Sequence, residues 1–209
     1  MTAHDIDGLV DILFDDIRTL RFLQRLFYDP SEDVRWLTAY MTGQACARLA
    51  TRQPGKVSDL LHRLFEACAD SAATNWGLIE TIGSVIAGRP DIFGSFTRYL
   101  LTYTGHESTR VETVWALAEI AAGKPELIRS IPFYNLFNYL DSPDPNLVGN
   151  TLRLCGHIQA IEKLTHIQAL RDDDREVRYY DKGLPVTTTV GQLAQQALTQ
   201  IEQKQGETK

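Results

Sequence analysis

The chain has 209 residues, 44% of them hydrophobic, with 21 Lys plus Arg against 27 Asp plus Glu for a net charge of −6. That much apolar material supports a continuous core and excludes general disorder, while the acidic balance argues against a general nucleic-acid binder. No run approaches the roughly 18 apolar residues of a membrane span, the first residues MTAHDIDGLVDILFDD lack the basic start of a secretory signal, and Cys46, Cys68 and Cys155 are too widely spaced for a disulfide framework or a paired metal motif, so the sequence predicts a cytoplasmic protein with reduced core cysteines.

In chain order, Asp5 to Phe14 reads as an N-terminal capping helix. The polar turn Asp29 to Asp33 follows, with Ser31 as the cap of a helix that carries Trp36, Tyr40 and Gly43. A boundary phrase then opens at Thr51-Arg52-Gln53-Pro54-Gly55-Lys56-Val57 and returns as Ala87-Gly88-Arg89-Pro90-Asp91-Ile92-Phe93 and Ala122-Gly123-Lys124-Pro125-Glu126-Leu127-Ile128. Its prolines are 36 and 35 positions apart. In each copy, Gly is expected to end one helix in a left-handed cap and Pro to start the next. Between the boundaries, Val57, Leu60, Leu61, Leu64, Phe65 and Cys68 form one helical stripe, and Ile79, Ile82, Val85 and Ile86 another. Turns are predicted at Ala69-Asp70-Ser71, at Thr104 to Ser108 with Ser108 as a cap, and at Asp141 to Pro145 with Asp144 or Asn146 as a cap.

A second column repeats between those boundaries. Trp36, Trp76 and Trp115 lie 40 and 39 positions apart, each followed seven residues later by a small residue, Gly43, Gly83 or Ala122. A fourth copy places Gly149 in the Trp position and Gly156 in the small one. Near the end, Arg175 to Thr189 is rich in β-formers around Asp181-Lys182-Gly183 and reads as a short hairpin. Thr189 is then the expected cap of a helix from Val190 to Glu202, with the stripe Leu193, Ala197, Leu198 and Ile201, and Gln203 to Lys209 is the expected frayed tail.

Two-helix units of this period cannot bury their apolar faces alone and must stack. The fold class predicted is therefore all-α: an α-solenoid of about five antiparallel helix pairs, with a short β-hairpin in the last repeat. One domain, residues 1–209, would comprise a cap at 1–14, repeats at 15–52, 55–88, 90–123, 125–157 and 158–202, and a tail at 203–209.

Asp33-Val34-Arg35, Arg110-Val111-Glu112 and Asp174-Arg175-Glu176-Val177-Arg178 recur at or near helix starts and turns. They resemble the D-x-x-V-R signature of HEAT-like repeats, including the short type of phycobilisome lyases and of uncharacterised prokaryotic proteins. The resemblance implies a superhelix whose second helices line an inner surface. On that surface Trp36, Tyr40, Trp76, Glu80, Trp115, Glu119 and Arg153 would form a continuous strip. The Trp-x-x-x-Glu spacing sets Trp76 with Glu80, and Trp115 with Glu119, one helical turn apart. Such a strip suits a basic peptide or a protein helix anchored by aromatic residues. The alternative is that the tryptophans pack between repeats and each Glu holds a neighbouring backbone or Arg in place. The pairs Asp33 with Arg35 and Asp174 with Arg178 are expected to bond to neighbouring turns and set the stacking of units, contact with a partner being the alternative.

The function expected is a protein–protein interaction or assembly scaffold with another protein or peptide as partner, and no cofactor. Homodimerisation through exposed tryptophans is compatible with the same features. The lyase resemblance makes a bilin-lyase-like, chromophore-binding enzyme the alternative, and a DNA-binding HEAT protein comes after it. Five histidines scattered at 4, 62, 106, 157 and 166 supply no helix-compatible metal set, and no nucleophile or phosphate-binding motif occurs.

Overall fold

The computed structural model describes residues 5–69 and 76–207, the side chains of 17 and 204–207 aside. It is all-α apart from one two-stranded hairpin. Helix α1 (Ile6–Asp15) is capped by Asp5, whose Oδ1 accepts from the Gly8 amide at 2.8 Å. A 3-10 turn (Ile17–Thr19) leads to α2 (Leu20–Leu26), followed by α3 (Glu32–Leu49), α4 (Pro54–Ala69) and α5 (Leu78–Gly88). The turn predicted at Ala69-Asp70-Ser71 lies, apart from Ala69, outside the described residues.

Ser31 caps α3 as expected. The boundary glycines behave differently from expectation, because Gly88 and Gly123 are not left-handed. Each helix instead ends on the residue between Gly and Pro, Arg89 at φ −145° and Lys124 at φ −153°. A proline ring clashes with the preceding residue in helical geometry, so that residue extends and the next helix starts on the proline.

The elements after those prolines are broken. Helix α6 (Pro90–Phe93), a 3-10 turn (Gly94–Phe96) and α7 (Thr97–Leu101) replace one continuous helix. Two 3-10 turns (Thr102–Gly105, Glu107–Thr109) precede α8 (Arg110–Gly123), whose N-cap is Thr109 rather than Ser108. After α9 (Pro125–Arg129), Pro132 stops the helix and a 3-10 segment (Tyr134–Asp141) continues the layer. Asp144 caps α10 (Pro145–Ile158) through the Asn146 amide at 2.9 Å. A 3-10 turn (Ile161–Lys163) and α11 (Leu164–Ala169) lead to β1 (Glu176–Asp181), β2 (Leu184–Thr189) and α12 (Val190–Glu207). Lys182 and Gly183, at φ 51° and 76°, make the two-residue turn that strand twist favours. Thr189 and Gln192 cap each other reciprocally, the Gln192 amide donating to Thr189 Oγ1 and the Thr189 amide to Gln192 Oε1. Helix α12 runs through most of the segment expected as a frayed tail.

Two compact units emerge: the described residues up to Leu100 with Tyr180–Leu184, and Leu101–Tyr179 with the residues from Pro185 onward. In the first, α3 packs against α5, with α1 and α2 on α3 and α4 on α5. A Cβ on Gly43 would sit 2.6 Å from Ser84 Cβ, so that glycine sets the close approach of α3 and α5. In the second unit α10 packs against both α8 and α12, with α9 against α8 and α11 against α12. Gly149 stands where earlier copies have Trp because Val177 and Leu193 fill the space; a Cβ there would be 2.5 Å from Val177 Cγ1.

Candidate functional site

The seven strip residues divide between the units. Trp36, Tyr40, Trp76 and Glu80 belong to the first, and Trp115, Glu119 and Arg153 to the second.

In the first unit, Trp36 is buried at 6% exposure and its indole N–H donates to Glu32 Oε1 at 3.4 Å. Tyr40 lies one turn later on α3 and is half-buried. Trp76 and Glu80 do not share a helix face. Gly77, at φ 68°, is the left-handed N-cap of α5, so Trp76 stands in the turn before the helix. A Cβ on Gly77 would be 2.5 Å from the Phe27 carbonyl oxygen, so the position requires glycine for space as well as for φ. Trp76 is 49% exposed and Glu80 only 4%. The Arg35 guanidinium lies over the Trp76 ring, 4.8 Å from its centroid. Burial, and secondly the Glu80 carboxylate, push the Cys68 thiol up to about 12.

The pattern is inverted in the second unit. Trp115 lies within α8 and is buried at 5% exposure. Glu119, one turn later, accepts from Arg153 Nη2 at 2.5 Å. Arg153 also donates to Asn150 Oδ1 at 3.2 Å, and its guanidinium lies 4.3 Å from the Tyr179 ring centroid. One turn further along α10, burial and the Arg153 charge push the His157 imidazole down to about 4, so it is neutral at pH 7. Pro125, Glu126, Arg129, His157, Ile158 and Gln159 line a shallow cavity of about 380 Å³. Arg129 is already committed there to the Ile158 and Gln159 carbonyls and to Glu162, and it closes the end of α10.

The signature arginines form a repeated device. Arg35 donates to the Asp29 and Pro30 carbonyls, Arg110 to Thr104, and Arg175 to Ser142 and Pro143. Each ties a turn at the mouth of its repeat. Arg110 also lies over Tyr139, 5.5 Å from the ring centroid, as Arg35 lies over Trp76. The sequence paired Arg178 with Asp174 in this role, whereas Arg175 fills it in the last copy.

Among the described residues no group of three or more His, Cys, Asp or Glu side chains is placed to hold a metal ion, and no helix is long and apolar enough to cross a membrane. Cys46 and Cys155 are buried, and burial pushes both thiols up to about 12.

Tyr179 and Tyr180 were not among the residues singled out from sequence. Only their place in a β-former run was visible, because aromatic residues in a hairpin carry no mark of what they will cover.

No known protein family and no curated protein sequence matches the chain. Among solved structures, a computationally designed armadillo repeat protein for modular peptide recognition superposes with a TM-score of 0.50 at 19% identity, over 85% of this chain and 80% of that one. The fold is that of a helical repeat protein.

Proposed function

We propose that this helical repeat protein is a binding module for another protein or a peptide, acting as an assembly scaffold in the cytoplasm. The observation that carries the reading is Trp76, a half-exposed indole held flat by Arg35 in a turn fixed by Gly77. A large aromatic ring kept at the surface at the expense of burial is the kind of anchor that dominates binding energies. The likeness to a protein designed for peptide recognition supports the reading. The repeated Arg-to-carbonyl turns support a HEAT-like origin for the repeats.

Of the strip residues, Trp36, Tyr40 and Trp76 in the first unit are the proposed contacts, while Glu80 and Trp115 are buried within their own units and Glu119 is paired with Arg153. Display of a random peptide library against the immobilised chain tests this. Enriched peptides should bind the wild type and bind Trp76→Ala roughly tenfold or more weakly, the loss expected for an aromatic anchor. Failure to enrich any peptide would sink the function, and unchanged affinity for Trp76→Ala would remove Trp76 from the site.

A further inference from the structure

The hairpin tip Tyr180–Leu184 is part of the first unit and is seated on one face of α3. The Tyr180 ring stacks on Trp36 with centroids 4.6 Å apart and planes 9° from parallel. Its hydroxyl donates to Asp33 Oδ1 at 2.7 Å. The turn glycine, Gly183, approaches so closely that a Cβ there would lie 2.9 Å from Leu37 Cα and 3.0 Å from Tyr40 Cβ. Asp33, Trp36, Leu37 and Tyr40 fall at i, i+3, i+4 and i+7, one stripe of the helix.

These four residues specify what the face accepts. A flat indole takes an aromatic ring, a carboxylate one turn earlier takes a phenolic hydroxyl, and the floor at Leu37 and Tyr40 admits backbone without a side chain. Each requirement is met by the Tyr-x-x-Gly turn of the chain itself. An apolar groove filled by any loop would need neither the hydroxyl bond nor the glycine.

We infer that this face of α3 is a receptor for a tyrosine-bearing tight turn, occupied here by the protein's own hairpin tip, and that a partner presenting Tyr-x-x-Gly in such a turn competes with the tip for it. This rests on the reading of the chain as a peptide-binding repeat protein and names the partner's chemistry. The tip then acts as a built-in competitor: it lowers the affinity for the partner by the fraction of time the face is covered.

The probe is a backbone-cyclised, fluorescein-labelled peptide copying residues 178–187, cyclised because an isolated two-stranded hairpin is marginally stable. Fluorescence polarisation with full-length chains should show it binding Tyr180→Ala and Gly183→Ala roughly tenfold or more tighter than the wild type, since either change frees the face without touching α3. Adding Asp33→Ala to Tyr180→Ala, or replacing the probe's tyrosine by alanine, should abolish that gain. Should Tyr180→Ala lose its helical circular dichroism, Gly183→Ala and Tyr180→Phe carry the same comparison, the latter with a smaller gain because the ring still stacks. Equal affinity for the wild type and the tip variants, or no binding to any folded variant, overturns the inference. Library peptides that bind while this probe fails would remove the receptor assignment alone.

Discussion

Trp76 with Glu80 and Trp115 with Glu119 are the same sequence pattern, yet the two regions use it in opposite ways. In the second unit the pair lies within α8, where the indole goes into the core and the carboxylate meets Arg153. In the first, the left-handed Gly77 interrupts the helix between the two residues. The indole is turned out under Arg35 and the carboxylate goes in. One backbone angle therefore exchanges a core tryptophan for a surface one. Sequence spacing places two residues on one face only where the helix is continuous.

The largest loss is expected at the core indole. Trp115→Ala should cost about 3–5 kcal/mol in chemical denaturation, the usual loss for a buried aromatic, whereas Trp76→Ala should cost less than about 1 kcal/mol because half its surface is already in water. Similar losses at both sites would mean that Trp76 is a packing residue.

The backbone switch itself comes next. Gly77→Ala should destabilise by about 2–4 kcal/mol, combining left-handed strain with overlap onto Phe27. A Gly77→Ala chain as stable as the wild type would show that the left-handed cap is not what separates Trp76 from Glu80.

The second region alone carries a depressed histidine. Because the folded pKa of His157, about 4, lies below its usual 6.5, the unfolded chain binds the proton more readily. The stability contributed by the neutral ring is fully present above pH 6.5 and is lost as pH falls towards 4. With partial solvent screening, this should amount to about 2 kcal/mol. Melting temperatures of His157→Gln should therefore vary less with pH over that window than those of the wild type. Parallel profiles would count against the burial assignment.

The smallest effect is expected at the ion pair. Glu119→Gln keeps a hydrogen-bond acceptor for Arg153 and should cost about 1 kcal/mol. Addition of salt should erase part of the difference between the two proteins, and a salt-independent loss would point to packing instead of charge.

The repeat itself was legible because stacking demands it. Proline-started helices, apolar stripes such as Val57 to Cys68, the Asp144 and Thr189 caps and the hairpin turn at Lys182-Gly183 all stand where local physics puts them. The boundary glycines were misread as caps because the proline after them was credited only with starting a helix and not with extending its predecessor. The continuity of the first helices was also overestimated, since Gly94 and Pro132 interrupt stretches whose apolar content reads straight through.

The candidate site was legible as residue types but not as exposures. Trp36, Trp76 and Trp115 look equivalent in sequence, and which one faces water depends on Gly77, Phe27 and Arg35. Nor does any local pattern say that Tyr180 will seat on Trp36, because the two rings are 144 positions apart in the chain and meet only after folding.

The amino-acid sequence by itself determined the helical period, the helix starts and the hairpin turn, because these follow from backbone sterics and from apolar spacing over a few residues. The tertiary structure alone decided which aromatic rings are buried, which arginine each acid meets and what lies on α3, because burial and pairing are set by neighbours that local spacing cannot specify.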